Sequence, residues 1–243
     1  MRMLAFLLLV PALVFAGQGM APLSAGPWGG GGGGSPAVTG TPSKPTFASG
    51  SQNPAAQNIT VPGGTTLAVM TWSYYPTGGA AGHGIASVTL DGNAPSSSCE
   101  IASDTGDRSA TGSAWWISPT TGASVALDPA WDASPAEGPV TMITYFTGAT
   151  TVPDCDSAHN TTNGSVGITL TTTSGDLAFC MDQHFDGGGT APGNETSWTS
   201  VDTASNASEA GRTRYITAAG ATQAANSQAT LAYSTLTCTT IAP

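Results

Sequence analysis

Two runs of this chain are apolar on both alternating faces, and they constrain the fold more than any other feature. In residues 65–75, Leu67 and Val69 fall on one side of an extended chain, and Ala68, Met70, Trp72 and Tyr74 on the other. In residues 140–146, Val140, Met142 and Phe146 share one side, Ile143 and Tyr145 the other. Side chains alternate across a strand, so such a run must be covered on both faces, which makes it a central strand. Pro62-Gly63-Gly64 punctuates the start of the first run. Asp91-Gly92, after residues 85–90, supplies the positive φ of a tight hairpin turn.

Shorter strands are expected over residues 57–61, 85–90, 98–102, 113–118, 124–127, 166–170, 176–183, 196–201, 212–217 and 228–238. Turn signals recur roughly every 8–15 residues, the spacing of a sandwich or jelly roll. A Pro-rich loop is expected over residues 128–139, with Trp131 in it. The chain has only four glutamates and shows no helix-period segment after its N-terminus. No internal repeat is legible. The fold expected is all-β: one antiparallel β-sandwich, of jelly-roll or Ig-like type, over residues 47–243, preceded by an apolar and then Gly/Pro-rich arm.

The arm has two parts. Residues 1–16 carry one basic residue, Arg2, and then an apolar run ending Val14-Phe15-Ala16, which fits either a signal peptide or an arm docked on another subunit. The run is too short for a stable membrane span. Residues 17–46 read as a linker, with Pro22, Pro27, Pro36, Pro42, Pro45 and six consecutive glycines from Gly29. Hexaglycine buries no side chain to offset its ordering entropy. It is not a phosphate loop, because no Lys-Ser/Thr and helix follow.

Charged residues make up 8% of the chain and the net charge is -10. Lys44 is the one lysine. Such a balance, with no basic patch, argues against nucleic acid as a partner. Cys99, Cys155, Cys180 and Cys238 allow three disulfide connectivities, and the spacing selects none. In an exported chain they would pair, whereas in a reducing cytosol they would be small buried hydrophobes.

Ile59-Thr-Val-Pro-Gly-Gly, Leu67-Ala-Val-Met-Thr-Trp, Ala86-Ser-Val-Thr-Leu-Asp-Gly-Asn, Ala114-Trp-Trp-Ile-Ser-Pro-Thr-Thr-Gly and Ser174-Gly-Asp-Leu-Ala-Phe follow one another in that order. The order resembles a loose group of β-sandwich surface modules found in virion proteins of tailed phages and in secreted bacterial proteins. The resemblance implies a structural or surface-recognition role and carries over no catalytic residue.

Asp182, His184 and Asp186 alternate, so on a strand they share one face and are candidate metal ligands; Asp154, Asp156 and His159 form a second such group. Polar groups at loop ends satisfy turns more often than they bind ions. Trp28, Trp115, Trp116, Trp131 and Trp198 are candidate platforms for stacking a sugar, Trp131 in a loop and Trp198 on a short strand beside one foremost, the alternative being that the tryptophans fill the core or pin loops. Neither a G-x-S-x-G nor an H-E-x-x-H motif is present, and Glu100, Glu137, Glu195 and Glu209 have no spacing that pairs them. The expectation is a non-enzymatic structural or surface-display protein without a cofactor, on the exterior of a phage particle. The alternative is a secreted bacterial cell-surface sandwich that binds carbohydrate. Expected partners are protein subunits of a larger assembly, with glycans as a second class.

Overall fold

A computed structural model describes residues 34–77, 81–103, 109–160, 165–185, 191–206, 209–228 and 234–243. The apolar segment 1–16, Trp28 and Asp186 lie outside the described residues. The strands are β1 (Ala37–Ser43), β2 (Gln57–Thr60), β3 (Leu67–Tyr74), β4 (Ile85–Leu90), β5 (Ser97–Ile101), β6 (Ala110–Ile117), β7 (Ser124–Trp131), β8 (Val140–Thr147), β9 (Cys155–His159), β10 (Gly167–Thr171), β11 (Leu177–Phe185), β12 (Thr199–Ser205), β13 (Glu209–Thr217), β14 (Thr222–Asn226) and β15 (Thr235–Ile241). Every pairing between them is antiparallel.

The strands form sheets in the orders β1-β8-β3-β6-β5, β2-β7-β4, β12-β13-β11-β15-β9 and β10-β14. The expected antiparallel sandwich is what the chain builds, with its sheets stacked in four layers. The β2-β7-β4 sheet covers one face of the first large sheet, closing a core around Met70, Trp72, Leu90, Leu127, Ile143 and Tyr145. The other face meets the second large sheet through Leu67, Val69, Phe146, Leu177, Phe179 and Ile241. The far face of that sheet packs on β10-β14 around Ile168, Leu170, Cys180, Leu236 and Cys238. Both runs singled out by their two apolar faces are therefore central strands, β3 and β8, with a packed layer on each side.

The two large sheets are built alike. Reading β1, β2, β3, β5, β6, β7 and β8 as β9, β10, β11, β12, β13, β14 and β15 turns the first strand order into the second, and β2-β7 into β10-β14. The registers agree: Leu67 is flanked by Ile117 and Phe146, and Leu177 by Thr217 and Ile241. The turns agree as well. Thr65 N donates to Pro62 O and Asp176 N to Thr173 O, each across a glycine of positive φ, Gly64 at 81° and Gly175 at 100°. A type II turn requires that conformation at its third residue, and only glycine adopts it without strain. β4 has no counterpart among the described residues. β3 contacts β11, and the contact of β8 with β13 is matched by that of β15 with β6, so an approximate twofold axis runs between β3 and β11. The chain thus folds as two equivalent halves, back to back.

Several strands differ from the sequence reading. Residues 37–43 fall within the expected linker yet form β1, which needs only backbone to pair with β8. Gly40 at φ 63° and a register shift between Thr39 and Ser43 let that edge pass Pro42. β9 and β14 arise from segments too polar or too small to show strand periodicity. β7 runs on to Trp131 through Pro129, which pairs with Val88. The bond from Asp91 N to Ala126 O sets the ladder's alternation, and it leaves Pro129 where no N–H is needed.

Candidate functional site

The polar residues of the second half converge on Arg214. β13 carries it into the interior between β11 and β14, opposite Cys180, and its side chain is wholly buried. Asp182 enters from β11, its Oδ2 3.6 Å from Arg214 Nη1. Glu195, from the segment before β12, places Oε2 3.3 Å from Nη2. Nη2 also donates to Asn226 O at 2.6 Å, and the guanidinium lies 5.3 Å from the centre of the Trp198 ring. Asp182 accepts from Ser227 Oγ at 2.7 Å and from Gln228 N at 2.6 Å, and Glu195 accepts from Asn226 N at 3.2 Å. Burial pushes the Asp182 carboxyl up, against the pull of Gln228, Ser227, Arg214 and His184. Burial likewise pushes Arg214 down, against Asp182 and Glu195. Both carboxylates are committed to donors already in place, so the cluster ties the end of β14 and the 195–198 turn to the sheet. Register equivalence puts Trp72 where Asp182 stands and Ala114 where Arg214 stands, so the first half fills the same place with apolar groups.

The alternation read at Asp182 and His184 holds: both face inward from β11 and both are buried. Asp186 lies outside the described residues. Among the described residues no group of three or more His, Cys, Asp or Glu side chains is placed to hold a metal ion. In the second group, Asp154 accepts from Thr171 N at 2.6 Å and Asp156 from Ser157 N at 2.8 Å, which are turn and edge contacts.

The sugar-platform candidates do not stand. Trp131 is 2% exposed and packs against Phe47 and Tyr74, with ring centroids 6.3 and 5.0 Å away. Trp198 is 6% exposed beneath Arg214. Trp115 and Trp116 are buried too. A stacked sugar needs a free ring face, and these rings spend theirs on the core.

Two arrangements had no signal in the sequence, because their members lie far apart along the chain. Glu100 and Asp132 grip consecutive amides, Ile85 N donating to Glu100 Oε2 at 3.0 Å and Gly84 N to Asp132 Oδ2 at 3.3 Å. Burial, reinforced by Asp132, raises the Glu100 carboxyl. The second is a polar zone between the halves, holding Ser73, Gln183, Glu209 and Thr235, all buried. Beside it a groove of about 310 Å³ is lined by Lys44, Phe47, Pro139, Thr141, Thr203 and Asn206, among others. Lys44 Nζ crosses its rim to Asp202 Oδ1 at 3.2 Å.

All four cysteines are in disulfides. Cys180–Cys238 joins β11 to β15 across directly paired positions, and Cys99–Cys155 joins β5 to β9, stapling the first half to the second. No protein-family model matches the chain, and no curated protein or solved structure shows significant similarity to it.

Proposed function

We propose that this chain is a non-enzymatic structural protein displayed on the exterior of a particle. In this reading the N-terminal segment delivers or docks it, and the stacked sheets are the displayed body. The observation that carries the reading is the Cys99–Cys155 disulfide, which ties the two halves together, with Cys180–Cys238 pairing the remaining thiols. A reducing cytosol keeps thiols open, so a fold stapled in this way suits an oxidising exterior. The low charge supports the same reading, since Thr, Ser and Gly solvate a surface that faces solvent rather than nucleic acid. Among the described residues no helix is long and apolar enough to cross a membrane.

A secreted cell-surface protein is the second reading, since export would itself supply an oxidising compartment for the two disulfides. Stacking of glycans on Trp131 or Trp198 forms no part of either. Fractionating the natural source, with intact-mass measurement of the protein recovered, tests the proposal. Fully oxidised chain on purified particles or outside the cell is the expected result, and those two locations separate the two readings. Fully reduced chain confined to the cytosol would overturn both.

A further inference from the structure

The seam between the two large sheets differs at its ends. One end is apolar, with Leu67, Val69, Phe146, Leu177 and Phe179 in contact. At the other, Ser73 Oγ, Ser109 Oγ and Thr235 Oγ1 are buried and have no hydrogen-bond partner among the described residues, while Gln183 and the Glu209 carboxyl reach each other. Ser73, Gln183 and Thr235 cluster through the ladders: Ser73 pairs with Val140, and Gln183 with Gly211 and Thr235. Across the seam Val140 settles onto Gly211, where a Cβ would stand 3.3 Å from Val140 Cγ1. Buried polar atoms without partners cost free energy, so this end closes less tightly than the apolar one.

Glu209 is the ionisable group within the polar end, and it is fully buried. Asn206 clamps it. Its Oδ1 accepts from Glu209 N at 2.6 Å, and its Nδ2 donates to Glu209 Oε2 at 3.4 Å and, across the seam, to Gly138 O. The charged groups of the packed elements are few. Glu137 lies on the first-half side, and Lys44 is paired with Asp202 at the rim. Asp182, His184 and Arg212 belong to the opposite face of the sheet. Among the described residues Glu209 therefore faces the Glu137 carboxyl and no free cation.

We propose that this end of the seam is a proton-operated latch: it stays closed while Glu209 is protonated and parts when Glu209 ionises, with the Cys99–Cys155 disulfide holding the far edge. Ionisation would bury a charge beside Glu137, with Asn206 and Gln183 the side chains that bond it among the described residues, and opening admits water. Burial, with Glu137 adding to it, pushes the Glu209 carboxyl up to about 8. The native value exceeds the ordinary 4.5, so this contribution to stability is full below about pH 4.5 and drains as pH rises through about 8. The latch is independent of where the protein is displayed.

Met142 and Met181 lie in the seam, and Met70 lies in the first-half core; all three are fully buried. A thioether does not titrate, so its oxidation by dilute peroxide reports access. The experiment follows sulfoxide formation at each Met by peptide mass in the full chain, disulfides intact, at about pH 6 and about pH 9. Oxidation of Met142 and Met181 is expected to run about tenfold faster or more at the higher pH, with Met70 unchanged, since the ionised fraction of Glu209 rises by more than that. Glu209→Gln should stay protected at both pH values, and Glu137→Gln should lower the rate at pH 9. Equal protection of the unmodified chain at both pH values would overturn the latch without recourse to any variant. So would Met70 oxidising in step with the seam, or opening that survives both substitutions.

Discussion

Asp182→Ala removes the carboxylate that links β11, β13 and the end of β14. Three contacts go with it: Ser227 Oγ at 2.7 Å, Gln228 N at 2.6 Å and Arg214 Nη1 at 3.6 Å. Breaking a buried ion pair from one side costs about 3–5 kcal/mol, because the remaining charge is stranded. The two donors left behind, at about 1–3 kcal/mol each, give a sum of the same size. Arg214 keeps Glu195 at 3.3 Å, which places the expected loss near the lower bound, about 3 kcal/mol. Urea unfolding at neutral pH, with the disulfides intact, reads this directly. With a slope of about 2–3 kcal/mol/M, the midpoint should fall by about 1–1.5 M at unchanged slope. Arg214→Ala should cost a comparable amount, and the double variant less than the sum. A loss below about 0.5 kcal/mol, the range of surface substitutions, would refute the claim that this network is a buried tie.

Met142→Ala in the seam and Ile143→Ala in the first-half core should each cost about 2–5 kcal/mol in the same assay, since both side chains are fully buried. A chain starting at Gly34 should fold. One starting at Thr46 loses β1, with Val38 in the seam and the Ser43–Tyr145 hydrogen bond of 2.7 Å, and should melt lower by differential scanning calorimetry. Replacing Cys99 and Cys155 by Ser together should cost about 4 kcal/mol, from the loop closed by a separation of 56 residues. Stability should decline from about pH 4.5 to about pH 8 by up to about 1.4 kcal/mol per pH unit from Glu209 alone, and Glu209→Gln should flatten that slope.

The central strands were legible because burial on both faces writes itself into every residue of the 65–75 and 140–146 runs. The strands β1, β9 and β14 were not, because edge and cover strands pair through backbone and leave side chains free to be Thr, Gly, Ala or Asp. The equivalence of the halves was hidden for a related reason. The same register position holds Trp72 in one half and Asp182 in the other, and Ala114 in one and Arg214 in the other, so volume and charge diverge while hydrogen-bond order is kept. Face-sharing of Asp182 and His184 followed from strand alternation. Their engagement with Arg214, Ser227 and Gln228 did not, since it depends on which strands lie beside β11. Trp131 falls within the Pro-rich loop expected over residues 128–139, yet Pro129 does not end the strand. The ladder tolerates proline at that position, so the ring turns into the core.

Non-reducing peptide mapping of the protein purified from its natural source tests the central claim, a double sandwich stapled for an oxidising exterior. The account predicts two linked pairs, Cys99 with Cys155 and Cys180 with Cys238, and no free thiol. Four free thiols in freshly isolated material, or any other pairing, would contradict it.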